Sequence, residues 1–305
     1  MSNSVTITFL EGLPGSGKTT LSMWLQPHLQ AHLFTEGSPQ YPYDFSGIAG
    51  ITARLYSKLL HTFPVLSEFI FAYESIHYVR IPDLESQYPQ ETDLLHLLRQ
   101  WEFGNEFNSN ITLEHYITCS LGLLHKWIEI IGVTGESLIL DSVLLQNPIN
   151  ELLYRNAPEE VIMQYCSLLT NAFSNFQTSC IYLERDSAAQ AIEFAARVKG
   201  ASWTDRVATL IAQTPYGLAH GLEGIDGMIQ FFEHRSTIEK RLLSNPLMNA
   251  KIYAVDELHW DQVRERIIMD FDLNQTAVGI RDGFVQSLTE VIEEYDQTLR
   301  GLKNK

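Results

Sequence analysis

Apolar and polar residues are arranged along the chain in two kinds of blocks. Short apolar or β-branched runs bounded by turn residues predict five strands, at 5–10, 31–35, 137–141, 180–184 and 251–255. Longer stretches with apolar residues at helical spacing lie between these runs. Strands that alternate with helices form right-handed crossovers, so we expect a mainly parallel five-stranded sheet with helices on both faces, which is a three-layer α/β fold.

Helical spacing covers most of the remaining chain. It is clearest at 111–131, where Ile117, Leu121, Leu124 and Ile128 share one face and a glycine follows the end. The other predicted helices are 18–29, 47–60, 64–75, 91–103, 148–155, 159–175, 187–197, 203–214, 224–243, 259–268 and 277–300.

No internal repeat and no linker rich in Pro, Gly or Ser divides the sequence. We therefore expect a single domain over 1–305. Within it we expect a helical insertion at 36–136, a lid-like region at 185–243 and a C-terminal helical extension at 271–305.

The first predicted strand leads into a glycine-rich turn and then a helix. The spacing of Gly12, Gly17, Lys18 and Thr19 fits the P-loop pattern, in which backbone N–H groups surround phosphate oxygens. A flexible turn without a ligand does not explain why a strand precedes it and a helix follows it. The pattern predicts that ATP and Mg²⁺ bind at Gly12, Pro14, Gly15, Ser16, Gly17, Lys18, Thr19 and Thr20.

The residue types in this turn fit the chemistry of binding a nucleotide and Mg²⁺. Lys18 would reach the β- and γ-phosphates, and the hydroxyl of Thr19 would hold Mg²⁺. The helix that begins near Lys18 adds the positive end of its dipole.

Carboxylates lie at the ends of four of the predicted strands, where ligands bind in open parallel sheets, and those at the second and third strands are the candidate site residues. Glu36 follows the second strand and is a candidate general base for an acceptor hydroxyl; the alternative is a solvated loop carboxylate. Asp141 ends the most apolar strand, as in a Walker B segment, and is a candidate Mg²⁺ ligand; the alternative is a helix cap or loop turn.

Basic residues concentrate in segment 185–241, which holds 7 of the 21 Lys and Arg residues. Phosphoryl transfer depends mainly on cations placed around the migrating group, so Arg185 and Arg197 are candidate catalytic residues on a mobile cover. The alternative for each arginine is an ion pair on a helix surface. Within this segment, the glycine-rich stretch 216–227 suggests a hinge, and His220 is a further candidate base.

Composition and charge limit the partners, the cysteine chemistry and the location that we expect for this protein. The 37 acidic and 21 basic residues give a net charge of −16, which disfavours nucleic acid and anionic lipid as partners. The three cysteines lack the spacing of a disulfide framework or a zinc site. The N-terminus has no basic region and we identify no apolar stretch of spanning length, so we expect no membrane association and a cytoplasmic location.

Residues 9–20, Phe-Leu-Glu-Gly-Leu-Pro-Gly-Ser-Gly-Lys-Thr-Thr, resemble the P-loop of thymidylate kinases and the related deoxynucleoside kinases. The resemblance implies a P-loop kinase with Glu36 as the general base and Arg197 as a lid arginine. It also implies that 253–256, with Val263 and Ile267, lie near the adenine.

One departure from that family concerns the acceptor. Ser142 stands where the family has the arginine that binds the acceptor's phosphate, and this departure argues against a nucleoside monophosphate as the substrate without excluding a phosphate acceptor. The segment Gln146-Asn147-Pro148 is instead a candidate for acceptor contacts through amide groups.

The sequence therefore predicts an ATP-dependent phosphotransferase that acts on a hydroxyl or phosphate of a small molecule. The alternative is a nucleotide-dependent regulatory ATPase or switch protein. A sulfotransferase is less favoured, because Gly17-Lys18-Thr19 provides for a γ-phosphate and Mg²⁺. The expected partners are ATP and a small-molecule acceptor, and a homodimer is the candidate assembly.

Overall fold

The computed structural model describes residues 5–38, 41–255 and 260–271. Its strands are β1 (Thr6–Gly12), β2 (His32–Phe34), β3 (Ile48–Thr52), β4 (Ile70–Tyr73), β5 (Ile76–Arg80), β6 (Leu138–Asp141), β7 (Gln177–Glu184) and β8 (Ala250–Ala254). Its helices are α1 (Lys18–Leu29), α2 (Ala53–Thr62), α3 (Ile81–Gln87), α4 (Thr92–Arg99), α5 (Leu113–Thr134), α6 (Gln146–Tyr154), α7 (Glu159–Ala172), α8 (Ala188–Lys199), α9 (Ala201–Gln213), α10 (Pro215–His220), α11 (Gly224–Leu243) and α12 (Trp260–Asp270).

The described residues form two compact units. The first contains the residues up to Tyr41 and those from Gly135 onward, and the second is Pro42–Thr134. The predicted C-terminal extension, apart from Phe271, and the predicted helix 277–300 lie outside the described residues.

The first unit is built on a five-stranded parallel sheet with the order β2-β6-β1-β7-β8. The five predicted strands are the strands of this sheet, so that prediction and the predicted α/β P-loop NTPase fold are confirmed. Strand β1 lies in the middle, with two strands on either side. The turn that follows it therefore lies at the centre of the carboxyl edge of the sheet, where ligands bind in this class of fold.

Burial explains why these runs form central strands. All four residues of β6, Leu138–Asp141, are buried, and six of the seven residues of β1 are buried. Strands covered on both faces consist of near-continuous apolar residues rather than alternating ones. Leu10, Ile139 and Leu183 from three strands share one core with Leu21 of α1 and Ile267 of α12.

The register of the strands sets up the site. Leu10 of β1 pairs with Asp141 of β6, and Gly12 pairs with Leu183 of β7. The last residues of three neighbouring strands therefore reach the same edge. Asp141 and the turn after Gly12 are placed side by side by backbone pairing alone.

The second unit differs from the helical insertion that the sequence predicts. It contains a three-stranded antiparallel sheet with the order β3-β5-β4, so the predicted helices 47–60 and 64–75 are wrong over 48–52 and 70–73. Helix α2 and a short 3-10 helix, Pro64–Glu68, account for the rest of those ranges. Short apolar runs fit both periods, and pairing with β5 decides for the strand.

Helix α5 is the long apolar helix of the second unit. By length and composition alone it could cross a membrane, so the expectation that no such stretch exists is wrong on these two criteria. Nine of its 22 residues are buried in the described structure, among them Tyr116, Leu124 and Trp127. A buried core helix meets the same criteria, and α5 is therefore weak evidence for a membrane span.

Candidate active site

The turn between β1 and α1 has the backbone shape that its glycines allow. Gly17 has a φ of 95° and stands directly before the first residue of α1, in the left-handed region that favours glycine. Gly12 lies so close to β7 that an added Cβ would be 2.5 Å from the carbonyl oxygen of Leu183. The first-turn N–H groups of α1 have no intrahelical partner and face the end of the helix, where an anion binds.

Lys18 is the first residue of α1 and its side chain is buried. Its Nζ donates hydrogen bonds to the carbonyl oxygens of Gly12 at 2.9 Å and Leu13 at 3.2 Å. Burial lowers the pKa of the ammonium, and the charges of Asp141 and Glu36 partly oppose this shift. The ammonium is therefore held over the turn, between the glycine loop and two carboxylates.

Asp141 is buried at the carboxyl end of β6. Its Oδ1 accepts a hydrogen bond from the hydroxyl of Ser142 at 2.8 Å, and its backbone carbonyl accepts one from the hydroxyl of Tyr41 at 2.7 Å. Burial raises the pKa of the carboxyl group, and the nearby charge of Lys18 opposes this. A cation beside the carboxylate would stabilise its ionised form.

Glu36 lies two residues after the end of β2 and is exposed. Its Oε1 accepts a hydrogen bond of 2.5 Å from the side-chain amide of Gln146, at the start of α6. The amide thus holds the carboxylate of Glu36 beside the start of α6. The neighbouring Asn147 instead donates to the hydroxyl of Tyr41 at 2.6 Å, so only Gln146 of the predicted amide pair lines the cavity described next.

A cavity of about 360 Å³ joins these groups. From the first strands and the P-loop it is lined by Pro14, Gly15, Gly17, Lys18, Thr19, Thr20, Glu36 and Asp141. From the helices it is lined by Gln146, Asn150, Tyr154, Phe194, Ala195, Val198, Lys199, Trp203, Val207 and Phe232. Its volume is within the range of small-molecule sites, and its wall combines apolar and aromatic side chains with polar ones, among them the charged residues Lys18, Glu36, Asp141 and Lys199.

The cations of the predicted lid-like region occupy different positions. Arg185 Nη2 donates to the carbonyl oxygen of Gly15 at 3.0 Å, and its guanidinium lies 4.6 Å from the ring centre of Phe194. Arg197 is exposed and lies 5.2 Å from the same ring centre. Lys199 lines the cavity, with its Nζ 5.0 Å from the ring centre of Trp203.

The residues present fit a Mg²⁺ ion bound together with phosphates. Thr19 and Asp141 line the same cavity and offer a hydroxyl and a carboxylate, which are the oxygen ligands that Mg²⁺ prefers. In the described part of the chain no group of three His, Cys, Asp or Glu could hold a metal by itself. A Mg²⁺ ion held by Thr19 and Asp141 would take its remaining ligands from nucleotide and water.

Glu11 lies beneath the P-loop and is fully buried. Its carboxylate accepts hydrogen bonds from the backbone N–H groups of Leu144 at 2.6 Å and Gln146 at 2.9 Å. These bonds tie the end of β1 to the first turn of α6, which carries Gln146. Burial raises the pKa of Glu11 to about 8, and the backbone hydrogen bonds partly oppose the shift.

Sequence reasoning missed several residues of the cavity wall. Asn150, Tyr154, Trp203 and Phe232 come from three helices, and a single-strand or loop motif does not mark them. The sequence does contain a signal for Lys199, because this residue belongs to the basic segment 185–241. Of the Lys and Arg residues in that segment, only Arg185 and Arg197 are predicted as site residues. His220 is absent from the lining; its Nδ1 lies 2.9 Å from the carbonyl oxygen of Tyr216 within α10.

Comparisons with known proteins add little. No family model matches the chain, and no curated protein matches it. Among solved structures, a deoxyadenosine kinase from M. mycoides with bound dATP is similar, with 16% identity, 88% of this chain and 100% of that chain covered, and a TM-score of 0.35. A likeness at that score does not bear on the chemistry of the site.

Proposed function

We propose that this protein is an ATP-dependent phosphotransferase that acts on a hydroxyl group of a small, uncharged molecule. The observation that supports this best is one cavity that brings together Lys18 and Thr19 of the P-loop with Asp141 and Glu36. A phosphate site alone would suit any nucleotide-binding protein. A carboxylate free to take a proton, in the same cavity, favours transfer to an acceptor.

The transfer is a displacement at the γ-phosphorus of ATP. The acceptor hydroxyl oxygen forms a bond to phosphorus, the bond from phosphorus to the oxygen of ADP breaks, and the hydroxyl proton passes to Glu36. Gln146 orients Glu36 through its 2.5 Å hydrogen bond. Thr19 and Asp141 would hold Mg²⁺, which neutralises phosphate charge when it is bound.

The cations have separate roles in this proposal. Lys18 leaves the carbonyl oxygens of Gly12 and Leu13 for the phosphates. Arg185 supports the loop through Gly15, and Lys199 faces the cavity as the cation for the transferring group. The predicted role of Arg197 stays a prediction; its guanidinium lies over Phe194 in an exposed position.

The helical wall of the cavity supports an uncharged acceptor. Asn150, Tyr154, Trp203 and Phe232 supply an amide and aromatic surfaces. Aromatic faces bind planar or apolar groups, and amides fix their orientation. A cytoplasmic location and a homodimer remain predictions from the sequence.

The first experiment measures binding of Mg·ATP by calorimetry to the wild type and to Lys18→Met. We expect the variant to lose at least about tenfold in affinity, because a charge-assisted contact to phosphate is removed. Lys240→Met is the matched control, since Lys240 is paired with Glu184 at 2.8 Å and is absent from the lining. Equal affinity of the wild type and Lys18→Met would contradict the proposed phosphate site.

The second experiment separates transfer from hydrolysis. The Mg·ADP complex is screened by thermal shift against sugars, nucleosides and aminoglycosides, and each molecule that raises the melting temperature is tested as an acceptor. We expect Glu36→Gln to reduce turnover by about 100-fold with little change in Mg·ATP affinity, because only proton transfer is lost. Rapid ATP hydrolysis without any acceptor, unchanged in Glu36→Gln, would favour the regulatory ATPase instead.

A further inference from the structure

Arg235 of α11 is fully buried beside the P-loop. Its Nη2 donates to the carbonyl oxygen of Gly12 at 3.1 Å, and its Nη1 donates to Oδ1 of Asn150 at 3.1 Å. A buried arginine is rare and must be paired, because removing its charge from water is costly. The chemistry proposed above gives this residue no role.

Three further groups hold the guanidinium in place. Its Nε lies 3.0 Å from Oε1 of Glu239, which is also fully buried. Glu239 in turn accepts a 2.7 Å hydrogen bond from the hydroxyl of Tyr182 on β7, and the guanidinium lies 5.0 Å from the ring centre of Phe232. The position of Arg235 is therefore fixed from both α11 and the sheet.

The carbonyl oxygens that Lys18 contacts each have a second donor. Gly12 O accepts from Lys18 Nζ at 2.9 Å and from Arg235. Leu13 O accepts from Lys18 Nζ at 3.2 Å and from the backbone N–H of Ser16 at 3.1 Å. When Lys18 turns to a phosphate, neither buried carbonyl is left without a donor, and a buried carbonyl without a donor is costly.

We infer that Arg235 is a positioning residue that keeps the Gly12 carbonyl paired when Lys18 moves to the nucleotide phosphates, so that the P-loop has the same shape empty and occupied. The inference rests on the proposed function, because it requires that a phosphate draws Lys18 away. The same side chain donates to Oδ1 of Asn150, a residue that lines the cavity. Arg235 thus couples the P-loop to the helical wall of the cavity.

The test uses an apolar variant that removes the whole buried group, Tyr182→Phe with Arg235→Met and Glu239→Met. No buried charge is left unpaired, and such replacements are often tolerated. The matched control is Arg155→Met with Glu151→Met, because Arg155 is also an arginine paired within its own helix over a spacing of four residues, at 2.6 Å, and neither Arg155 nor Glu151 lines the cavity. We expect the apolar variant to bind Mg·ADP about tenfold more weakly and the control to bind as the wild type does.

A thermodynamic cycle on the empty protein separates this role from general support of the fold. Either Lys18 or Arg235 alone can donate a hydrogen bond to Gly12 O, and only the combined variant leaves this carbonyl without a side-chain donor. Lys18→Met combined with the apolar variant should therefore lower the urea midpoint by more than the sum of the two separate shifts. If the apolar variant does not fold, Arg235→Lys replaces it. Lysine keeps the charge but lacks the planar fork that reaches both Gly12 and Asn150.

Two results would overturn the inference: unchanged Mg·ADP affinity in a folded variant, or additive midpoint shifts in the cycle. Absence of Mg·ATP and Mg·ADP binding by the wild type is a different outcome. It overturns the proposed function together with the role of Arg235 in nucleotide binding. Non-additive midpoints in that case would show Arg235 as a donor to Gly12 in the empty protein only.

Discussion

Lys199 shows how much depends on the exact residue within a basic segment. It ends α8, lines the cavity and lies over Trp203, while Arg197, two residues earlier, lies over Phe194 and is absent from the cavity lining. The charge of Lys199 also helps to lower the pKa of Asp141 against the effect of burial. Each step along a helix turns the side-chain direction by about 100°, so residues two positions apart lie on different faces of α8. Which of the two cations lines the cavity therefore depends on how the faces of α8 pack.

We predict that Lys199→Ala reduces the rate of phosphoryl transfer by about 100-fold, because a cation aimed at the transferring group acts mainly in the transition state. Affinity for Mg·ADP should change far less, since the P-loop contacts remain. Single-turnover kinetics and calorimetry measure the two quantities. Lys240→Ala is the control, and Lys199→Arg should recover part of the rate.

If Arg197 rather than Lys199 is the cation for the transferring group, the two alanine variants give the opposite result. A full rate in Lys199→Ala together with a large loss in Arg197→Ala would assign the transferring group to Arg197 and show that α8 moves when substrate binds. Loss in both variants would show that the two cations act together.

At the scale of elements, the strands of the sheet were predictable and the inserted sheet was not. The apolar runs at β1 and β6 are bounded by turn residues and have no helical alternative of similar quality. Segment 48–52 has an apolar pattern that continues into α2, so sequence periodicity merged a strand and a helix into one predicted helix. Its pairing with β5, more than twenty residues away, is a non-local contact that local pattern does not contain.

The residues of the candidate site also divide into those that the sequence predicts and those that it does not. The P-loop and the carboxylates after β2 and β6 are local in sequence and were predictable. Gln146, Asn150, Trp203 and Phe232 meet at the cavity only through the packing of α6, α9 and α11 around the sheet. Tertiary contacts of single side chains carry no short-range signal, and the helical wall could not be predicted for that reason.

The junction between β1 and α6 gives a prediction on stability. Glu11 has a pKa raised to about 8 by burial, so the folded protein keeps a proton that the unfolded chain releases near its ordinary value of 4.5. Its contribution to stability is therefore full below about pH 4.5 and is lost as the pH rises toward about 8, by up to ~1.4 kcal/mol per pH unit.

Glu11→Gln removes this proton uptake. We expect the unfolding free energy of the wild type, measured by urea denaturation, to fall relative to that of the variant from about pH 5 to about pH 8, so that the advantage of the wild type at the acid end is reversed before pH 8. At the acid end the variant should be less stable by about 1–3 kcal/mol, because an amide cannot accept both N–H groups of α6. Glu193→Gln, at an exposed position of α8, is the control. A difference that is constant over this pH range would contradict the assigned protonation.

At the scale of the whole molecule, the net charge of −16 sets the partners that the surface admits. Several cations outside the cavity are paired with carboxylates, including Arg99 with Glu85 at 2.7 Å, Lys240 with Glu184 at 2.8 Å and Lys126 with Glu129 at 3.3 Å. Cations that are already paired with carboxylates on an acidic surface do not displace the counterions of nucleic-acid phosphates, so they contribute little to the binding of nucleic acid. We therefore expect phosphate to bind at the P-loop, where the first-turn N–H groups and the dipole of α1 lie beside the ammonium of Lys18.

We predict that a fluorescent DNA duplex shows no anisotropy change with this protein at about 0.15 M salt, at protein concentrations where non-specific DNA-binding proteins bind, about 10 μM. A fluorescent ADP analogue with Mg²⁺ should bind under the same conditions, and excess duplex should not displace it, because a local site rather than the global field selects the phosphate. The contrary result is duplex binding that weakens steeply with salt. That result would move nucleic acid back among the partners of this chain.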